Sequence, residues 1–205
     1  MGTRNLVAVV SNGEFKVAQY GQWDGYPSGQ GSTVCEFLQE KLDLEKFKSA
    51  VNDCKYLDKD ELNQKWATAG ADLNNKDGFV TMEVSDKFKR TNPTLSRDAG
   101  AEVLEMIQDH GSRELKNSID FAGDSLFCEW AYVVDLDNNV LEVYKGFNQK
   151  PLDPSERFYS HALPTESHRK DYYYPIKLVK KLSFTEATPG AMVALEQELN
   201  KDEEE

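Results

Sequence analysis

Two β-hairpin patterns near opposite ends of the chain most constrain its fold. The first is centred on Asn12-Gly13, a dipeptide typical of tight turns because both residues tolerate a positive φ. The second spans residues 130–144, where two runs rich in β-branched and aromatic residues flank a polar turn. Helical patterns fill most of the sequence between the hairpins, so strands and helices do not alternate. This order disfavours a doubly wound parallel sheet.

We predict a single α+β domain over residues 1–195. Its antiparallel sheet of about five strands is built from the two distant hairpins and a late strand at residues 176–184, and about six helices pack against it. No low-complexity linker and no internal repeat divides the chain. Residues 196–205 carry six acidic residues and one lysine, which predicts a solvated acidic C-terminal tail. The stretch from residue 146 to 174 is polar and rich in proline, which predicts a surface excursion.

Local signals predict where the helices begin. Thr33 followed by Glu36 has the spacing of a capping box, and Asp58 with Glu61 repeats it. Pro189 suits the first position of a terminal helix. A short helix is also predicted over residues 82–90. The predicted N-cap residues are Thr33, Asp43, Asp58, Ser96 and Thr188.

The first turn also predicts the pairing of its two strands. If Ser11 faces Glu14 across a two-residue turn and the ladder continues without interruption, Arg4 lies opposite Gly21. Arg4 would then sit beside the loop that follows the second strand, at the end of the more apolar face of the hairpin.

Composition and charge exclude several classes of function. The formal net charge is −12, whereas proteins that bind nucleic acid usually present a basic face, so we expect no nucleic-acid partner. No apolar run approaches the roughly 18 residues that cross a bilayer, which predicts a cytoplasmic, soluble protein without a membrane partner. The three cysteines are an odd number at irregular spacing, which favours free, buried thiols. The sequence leaves the oligomeric state open.

The most specialised stretch is YGQWDGYPSGQGST at residues 20–33, which places four glycines and three aromatic rings between a predicted strand and a predicted helix. It lacks the lysine of a Walker phosphate loop and the third glycine of a dinucleotide fingerprint. What remains is the general attraction of a helix N-terminus for anions, with Arg4 as a possible clamp. The alternative is that these residues only turn the chain and cap the helix.

These considerations yield a predicted binding site for a small polar or anionic molecule, with a nucleotide as one candidate. Trp23 and Tyr26 would stack on the flat part of the ligand, and Arg4 with the helix start would hold its charge. No cofactor is predicted. The predicted ligand-binding residues are Arg4, Tyr20, Trp23, Tyr26, Gly29, Gly31, Ser32 and Thr33.

Two other hypotheses stay open. A hydrolase-type enzyme would use Asp24, and Glu129 with it, as general acid or base. The simpler roles are an Asx turn for Asp24 and an exposed strand end for Glu129. A structural or protein-interaction module would use the loop only to lock the hairpin to the helix.

No metal site is predicted. The acidic loop at residues 72–78 lacks two main ligands of a calcium-binding EF-hand. His161 and His168 lack further ligands at the spacing of a zinc site, and His110 suits the C-terminus of a helix.

Four short strings in the chain resemble those of a known group of proteins. Gly2-Thr3-Arg4 opening a strand, followed by WDGYPSGQG at residues 23–31, resembles a widespread family of uncharacterised proteins from phages, bacteria and fungi. The strings DSLFCEWAY at residues 124–132 and YKGFN at residues 144–148 are similar to its longer fungal and bacterial members. The resemblance implies a family and no particular activity. It supports the prediction that Arg4 and the loop act together.

Overall fold

A five-stranded sheet forms the centre of the computed structural model, which describes residues 2–75, 79–111, 113–161 and 172–204. Its strand order is β2-β1-β5-β6-β7, and the pairs are antiparallel except for β1 with β5, which run parallel. A small second sheet pairs β3 with β4. The strands are β1 (Asn5–Ser11), β2 (Glu14–Gly21), β3 (Lys55–Tyr56), β4 (Glu114–Leu115), β5 (Trp130–Asp135), β6 (Val140–Lys145) and β7 (Lys177–Ser183).

Six α-helices lie in the described part of the chain, and with the sheet they confirm the predicted α+β fold. The first is extended by a π-helical turn on each side, Pro27–Gly31 before it and Phe37–Lys41 after it. The α-helices are α1 (Ser32–Glu36), α2 (Leu44–Asn52), α3 (Lys59–Ala69), α4 (Met82–Thr91), α5 (Val103–Asp109) and α6 (Pro189–Glu204). Short 3₁₀ turns cover Pro93–Leu95, Gly100–Glu102, Ile119–Gly123 and Tyr159–His161.

Each face of the sheet buries its own apolar cluster, because successive strand residues point to opposite faces. Val7 and Val9 face the helices α1, α2, α5 and α6, and we call this the helix face. Leu6 and Ala8 point to the other face, the excursion face, where they pack with Leu152 and Phe158. Residues 146–174, predicted to be a surface excursion, are largely exposed where they are described, but they contribute these two side chains to the core. Residues 162–171, with His168, lie outside the described residues, as do residues 76–78 of the acidic loop.

The predicted register of the first hairpin is correct only next to its turn. Val10 pairs with Phe15 as expected, but a bulge follows and Val9 pairs with Val17. Lys16 is the extra residue, so every later pair shifts by one. Asn5, and not Arg4, therefore lies opposite Gly21.

The helix starts divide into those set by local signals and those overridden by packing. Asp58 and Glu61 form the predicted capping box before α3, and the caps Asp43 and Thr188 are also confirmed. The predicted start at Ser96 is wrong, because Gly100 adopts a left-handed conformation (φ 48°) and α5 begins only at Val103. The predicted start at Thr33 is wrong as well, since that residue lies inside a helical segment that begins at Pro27. At the C-terminus, α6 continues to Glu204 through most of the predicted acidic tail.

A buried ion cluster fixes part of the excursion to the sheet. Arg157 donates to Glu142 Oε2 (2.6 Å) and to Asp135 Oδ2 (2.7 Å), two carboxylates that are almost fully buried on β6 and β5. Tyr144 and Lys181 also donate to Glu142. Burial opposes ionisation of both carboxyls. It is outweighed by hydrogen bonds from Asn138 and Arg157 to Asp135 and by the three donors to Glu142, so the pKa values of both carboxyls lie below their usual values.

Replacing Arg157 with Ala should destabilise the protein by about 3–5 kcal/mol, because two buried carboxylates would lose their shared partner. Chemical denaturation would measure the loss, with Arg90→Ala as the control because Arg90 is exposed on α4.

Lowering the pH should change the stability of the intact protein and that of the Arg157→Ala variant in opposite directions. In the intact protein, the depressed pKa of Glu142 contributes stability at pH values above 4.5, the ordinary pKa of this group. The contribution is lost as the pH falls through the pKa of the folded state. In Arg157→Ala, burial without the guanidinium raises the same pKa, so the deficit should shrink as pH falls toward 5. A deficit that is constant with pH would show that Arg157 acts through packing alone.

Candidate functional site

The glycine-rich stretch starts a helix earlier than its sequence suggests. Tyr26 occupies the N-cap position and Pro27 the first helical position, where its missing N–H costs nothing. Ser32 and Thr33 lie within the helical segment, and their hydroxyls donate to the backbone oxygens of Pro27 (3.2 Å) and Gly29 (3.4 Å). The helix start behind Gly31, on which the predicted anion site depended, is therefore wrong.

The actual start of this helical segment is already occupied by an acidic side chain of the same protein. The backbone N–H of Ser28 donates to Glu196 Oε2 at 2.8 Å. A carboxylate at this position interacts favourably with the helix dipole. Glu196, the first residue of the predicted tail, is thus part of the contact between α6 and the loop.

The loop glycines permit close packing against the rest of the chain. A Cβ at Gly29 would lie 2.3 Å from the backbone oxygen of Asp24, and one at Gly31 would lie 2.8 Å from Cε1 of Tyr132. The buried Tyr132 hydroxyl donates to the backbone oxygen of Gly25 at 2.8 Å. Gly25 in turn packs against the backbone of Thr3. These contacts form a joint between loop, helix and sheet.

The backbone of Arg4 borders this joint, since a Cβ at Gly25 would lie 3.0 Å from the Arg4 backbone oxygen, but its side chain contacts other residues. The side chain of Arg4 contacts Phe127 and Glu129, whereas Gly31 packs against Tyr132 on the helix face. The backbone N–H of Arg4 donates to Glu129 Oε1 (3.2 Å), and its Nε lies 3.9 Å from the same oxygen. Its guanidinium carbon lies 4.6 Å from the ring centroid of Phe127. Arg4 and Glu129, predicted for separate roles, therefore meet.

Other titratable groups surround Arg4. Burial raises the pKa of Asp124, and the positive charge of Arg4 acts in the opposite direction. Burial also raises the pKa of Tyr20, whose hydroxyl donates to Gln22 Oε1 at 2.7 Å. The thiol of Cys128 is fully buried among these groups, and its pKa is raised well above its usual value. We call Arg4, Asp124, Phe127 and Glu129 the Arg4 corner.

The remaining predicted residues point elsewhere. Trp23 and Tyr26 are about half exposed, and the indole N–H of Trp23 donates to Asp98 Oδ1 at 3.1 Å. Asp24 is exposed and adopts a left-handed backbone (φ 53°), with its carbonyl accepting from the N–H of Gln30. Among the described residues no hydrogen bond joins Asp24 to Glu129, so their pairing as catalytic carboxylates stays a prediction.

Four separate segments converge at this end of the sheet. Gly25 bonds to Thr3, Arg4 bonds to Glu129, and the backbone N–H of Phe147 donates to the oxygen of Ser125 (2.7 Å). The convergence brings in residues that sequence reasoning missed. They lie in two of the strings that resemble the family, DSLFCEWAY and YKGFN, and this resemblance was the available sequence signal for them. The stretch before β5 has neither helical nor strand periodicity, so the sequence pattern did not locate them in the fold. The missed residues are Asp124, Phe127 and Phe147.

The comparisons with known proteins add no identification. No protein-family model, no curated protein and no solved structure matches this chain. Within the described ranges, no group of three or more His, Cys, Asp and Glu side chains is arranged to hold a metal ion. The described helices include none that is both long and apolar enough to cross a membrane.

Gly31→Ala tests the joint. Because the new methyl group would overlap the Tyr132 ring, the substitution should destabilise the protein by about 1–3 kcal/mol, which thermal or urea denaturation would detect. Gly190→Ala is the matched control, since a Cβ there meets nothing closer than 3.9 Å in the first turn of α6. It should be neutral or slightly stabilising. Equal losses in the two variants would contradict the packing role of Gly31.

Proposed function

We propose that this protein binds a small polar or anionic molecule with a flat ring, such as a nucleotide, at the Arg4 corner. The observation that carries the proposal is the environment of the Arg4 guanidinium. Its Nε atom is buried and has no hydrogen-bond partner within the described residues. A charged donor in this state is costly, and an oxygen of a ligand that engages the guanidinium would offset part of that cost.

The contacts of Arg4 favour a ligand over a purely structural ion pair. Glu129 Oε1 lies 3.9 Å from Nε, which is longer than a good charge-assisted hydrogen bond. A guanidinium has five N–H donors, so one distant carboxylate leaves capacity for a phosphate or carboxylate. The stacked Phe127 ring limits the motion of the side chain and orients its plane.

Exposed rings at the same end of the sheet support a ligand with a flat portion. Trp23, Phe127 and Phe147 are 49, 44 and 51% exposed, although rings of this size are usually buried to a greater extent. Aromatic side chains that line a site provide stacking surfaces for planar ligands. This arrangement moves the ligand away from Gly29, Gly31, Ser32 and Thr33, whose contacts support a joint.

A hydrolase-type enzyme is the second candidate, and one observation favours it. Burial raises the pKa of Asp124. Burial also raises the pKa of the Cys128 thiol, and Asp124 and Glu129, the latter beside Arg4, are both close enough for their negative charges to raise it further. Two carboxyls in different environments can divide the roles of acid and base. In this version Asp124 replaces Asp24 as the partner of Glu129.

A thermal-shift screen with nucleotides, sugar phosphates and neutral sugars tests the binding proposal. At a ligand concentration of 100 Kd, binding adds about 2.7 kcal/mol, which corresponds to a rise in Tm of roughly 5–10 °C for a chain of this size. Arg4→Gln and Phe127→Ala should abolish the shift, because they remove the charge and the stacking surface. Arg90→Gln, which changes an exposed arginine elsewhere, should retain it.

Two results would contradict the proposal. One is the absence of any shift across the panel, and the other is a shift that survives in folded Arg4→Gln protein. Incubation of a stabilising ligand separates the candidates further. If the protein is an enzyme, product should form with the intact protein and fail to form with Asp124→Asn, whereas an unaltered ligand supports binding alone.

A further inference from the structure

A second concave surface lies between α3 and α4, away from the Arg4 corner. We call it the α3–α4 groove, and its volume is about 510 Å³, within the range of small-molecule sites. Its apolar floor includes Trp66 and Phe88, whose rings stack in parallel with centroids 3.6 Å apart. Phe79 forms one wall and is 82% exposed. A Phe side chain in this position leaves a large apolar area in water, which is typical of interaction sites.

The charge around the groove is opposite to that of the protein as a whole. Lys89, Arg97 and Lys116 line it, and none of its described lining residues is acidic. Asp98 lies nearby and offsets part of this charge, with an oxygen 2.5 Å from Lys89 Nζ and another 3.9 Å from Arg97 Nε. The side chain of Arg97 is nevertheless mostly exposed, and Lys116 is exposed as well. In a chain with a formal net charge of −12, such a cationic rim attracts anions locally.

We propose that the α3–α4 groove is a second binding site, which takes a small organic anion with an aromatic or apolar body. The body contacts Phe79 and the floor formed by Trp66, and the anionic group pairs with Lys116 and Arg97. The site needs both the apolar floor and the cations. The floor alone does not select for charge, and the cations alone are too exposed to hold a small anion firmly. The site is independent of the proposed function at the Arg4 corner.

The probe for the test is anilinonaphthalene sulfonate, which combines two aromatic systems with one negative charge. Fluorescence titration should show saturable binding. The neutral analogue N-phenylnaphthylamine should bind about tenfold more weakly, because it lacks the group that pairs with the cations.

Matched variants locate the probe. Lys116→Glu and Phe79→Ser should each weaken binding by about tenfold, through charge and through apolar contact respectively. Lys180→Glu, an exposed charge reversal on β7, and Met82→Ser, an 81% exposed apolar residue outside the groove, should leave the affinity unchanged. All four changes are at exposed positions, and an unchanged urea transition would verify that each variant is folded.

The result expected for Arg4→Gln separates this proposal from the first one. Its affinity for the probe should equal that of the intact protein, since Arg4 does not line the groove. Loss of binding in Arg4→Gln, no saturable binding, or equal affinities in all four surface variants would each overturn the assignment of the groove.

Discussion

The parallel pairing of β1 with β5 is the interaction on which the rest of the molecule depends. Every residue of both strands is buried, and their ladder joins two hairpins that are far apart in the sequence. Its register places Asn5 opposite Trp130. Since parallel strands begin at the same edge of a sheet, the residues that precede them, Arg4 and Glu129, become neighbours. The candidate site is therefore a direct consequence of the central pairing.

Features set by a few adjacent residues could be predicted from the sequence. The Asn12-Gly13 turn and the capping box of Asp58 with Glu61 depend on hydrogen bonds within a few residues and form as predicted, whereas the same capping-box spacing at Thr33 and Glu36 is overridden. The bulge at Lys16 lacks such a signal and changes the partner of Gly21. One extra residue was enough to misplace Arg4 in the predicted hairpin, although the strands themselves were correctly identified.

The site could be predicted only in part because its contacts are long-range. Arg4 and Glu129 were candidates on separate grounds, but no local pattern indicates that β1 and β5 are parallel neighbours. The loop presents the opposite difficulty. Gly31 is typical of a ligand-binding turn by its sequence context, yet its space is filled by the ring of Tyr132, a residue about a hundred positions later. A glycine-rich composition indicates close approach without identifying what approaches.

Backbone strain distinguishes this end of the sheet from the other. Asn12 and Asn139 have positive φ values in the hairpin turns, where asparagine adopts them readily. Asp24 and Phe147 also have positive φ values (both 53°), and for a bulky residue such as Phe147 this conformation costs about 1–3 kcal/mol. The bond from Phe147 to Ser125 and the tight packing of Gly146 against Cys128 maintain it. The fold thus stabilises a strained backbone at Phe147 and leaves its ring half exposed beside the Arg4 corner. The hydrophobic effect alone would favour burying this ring.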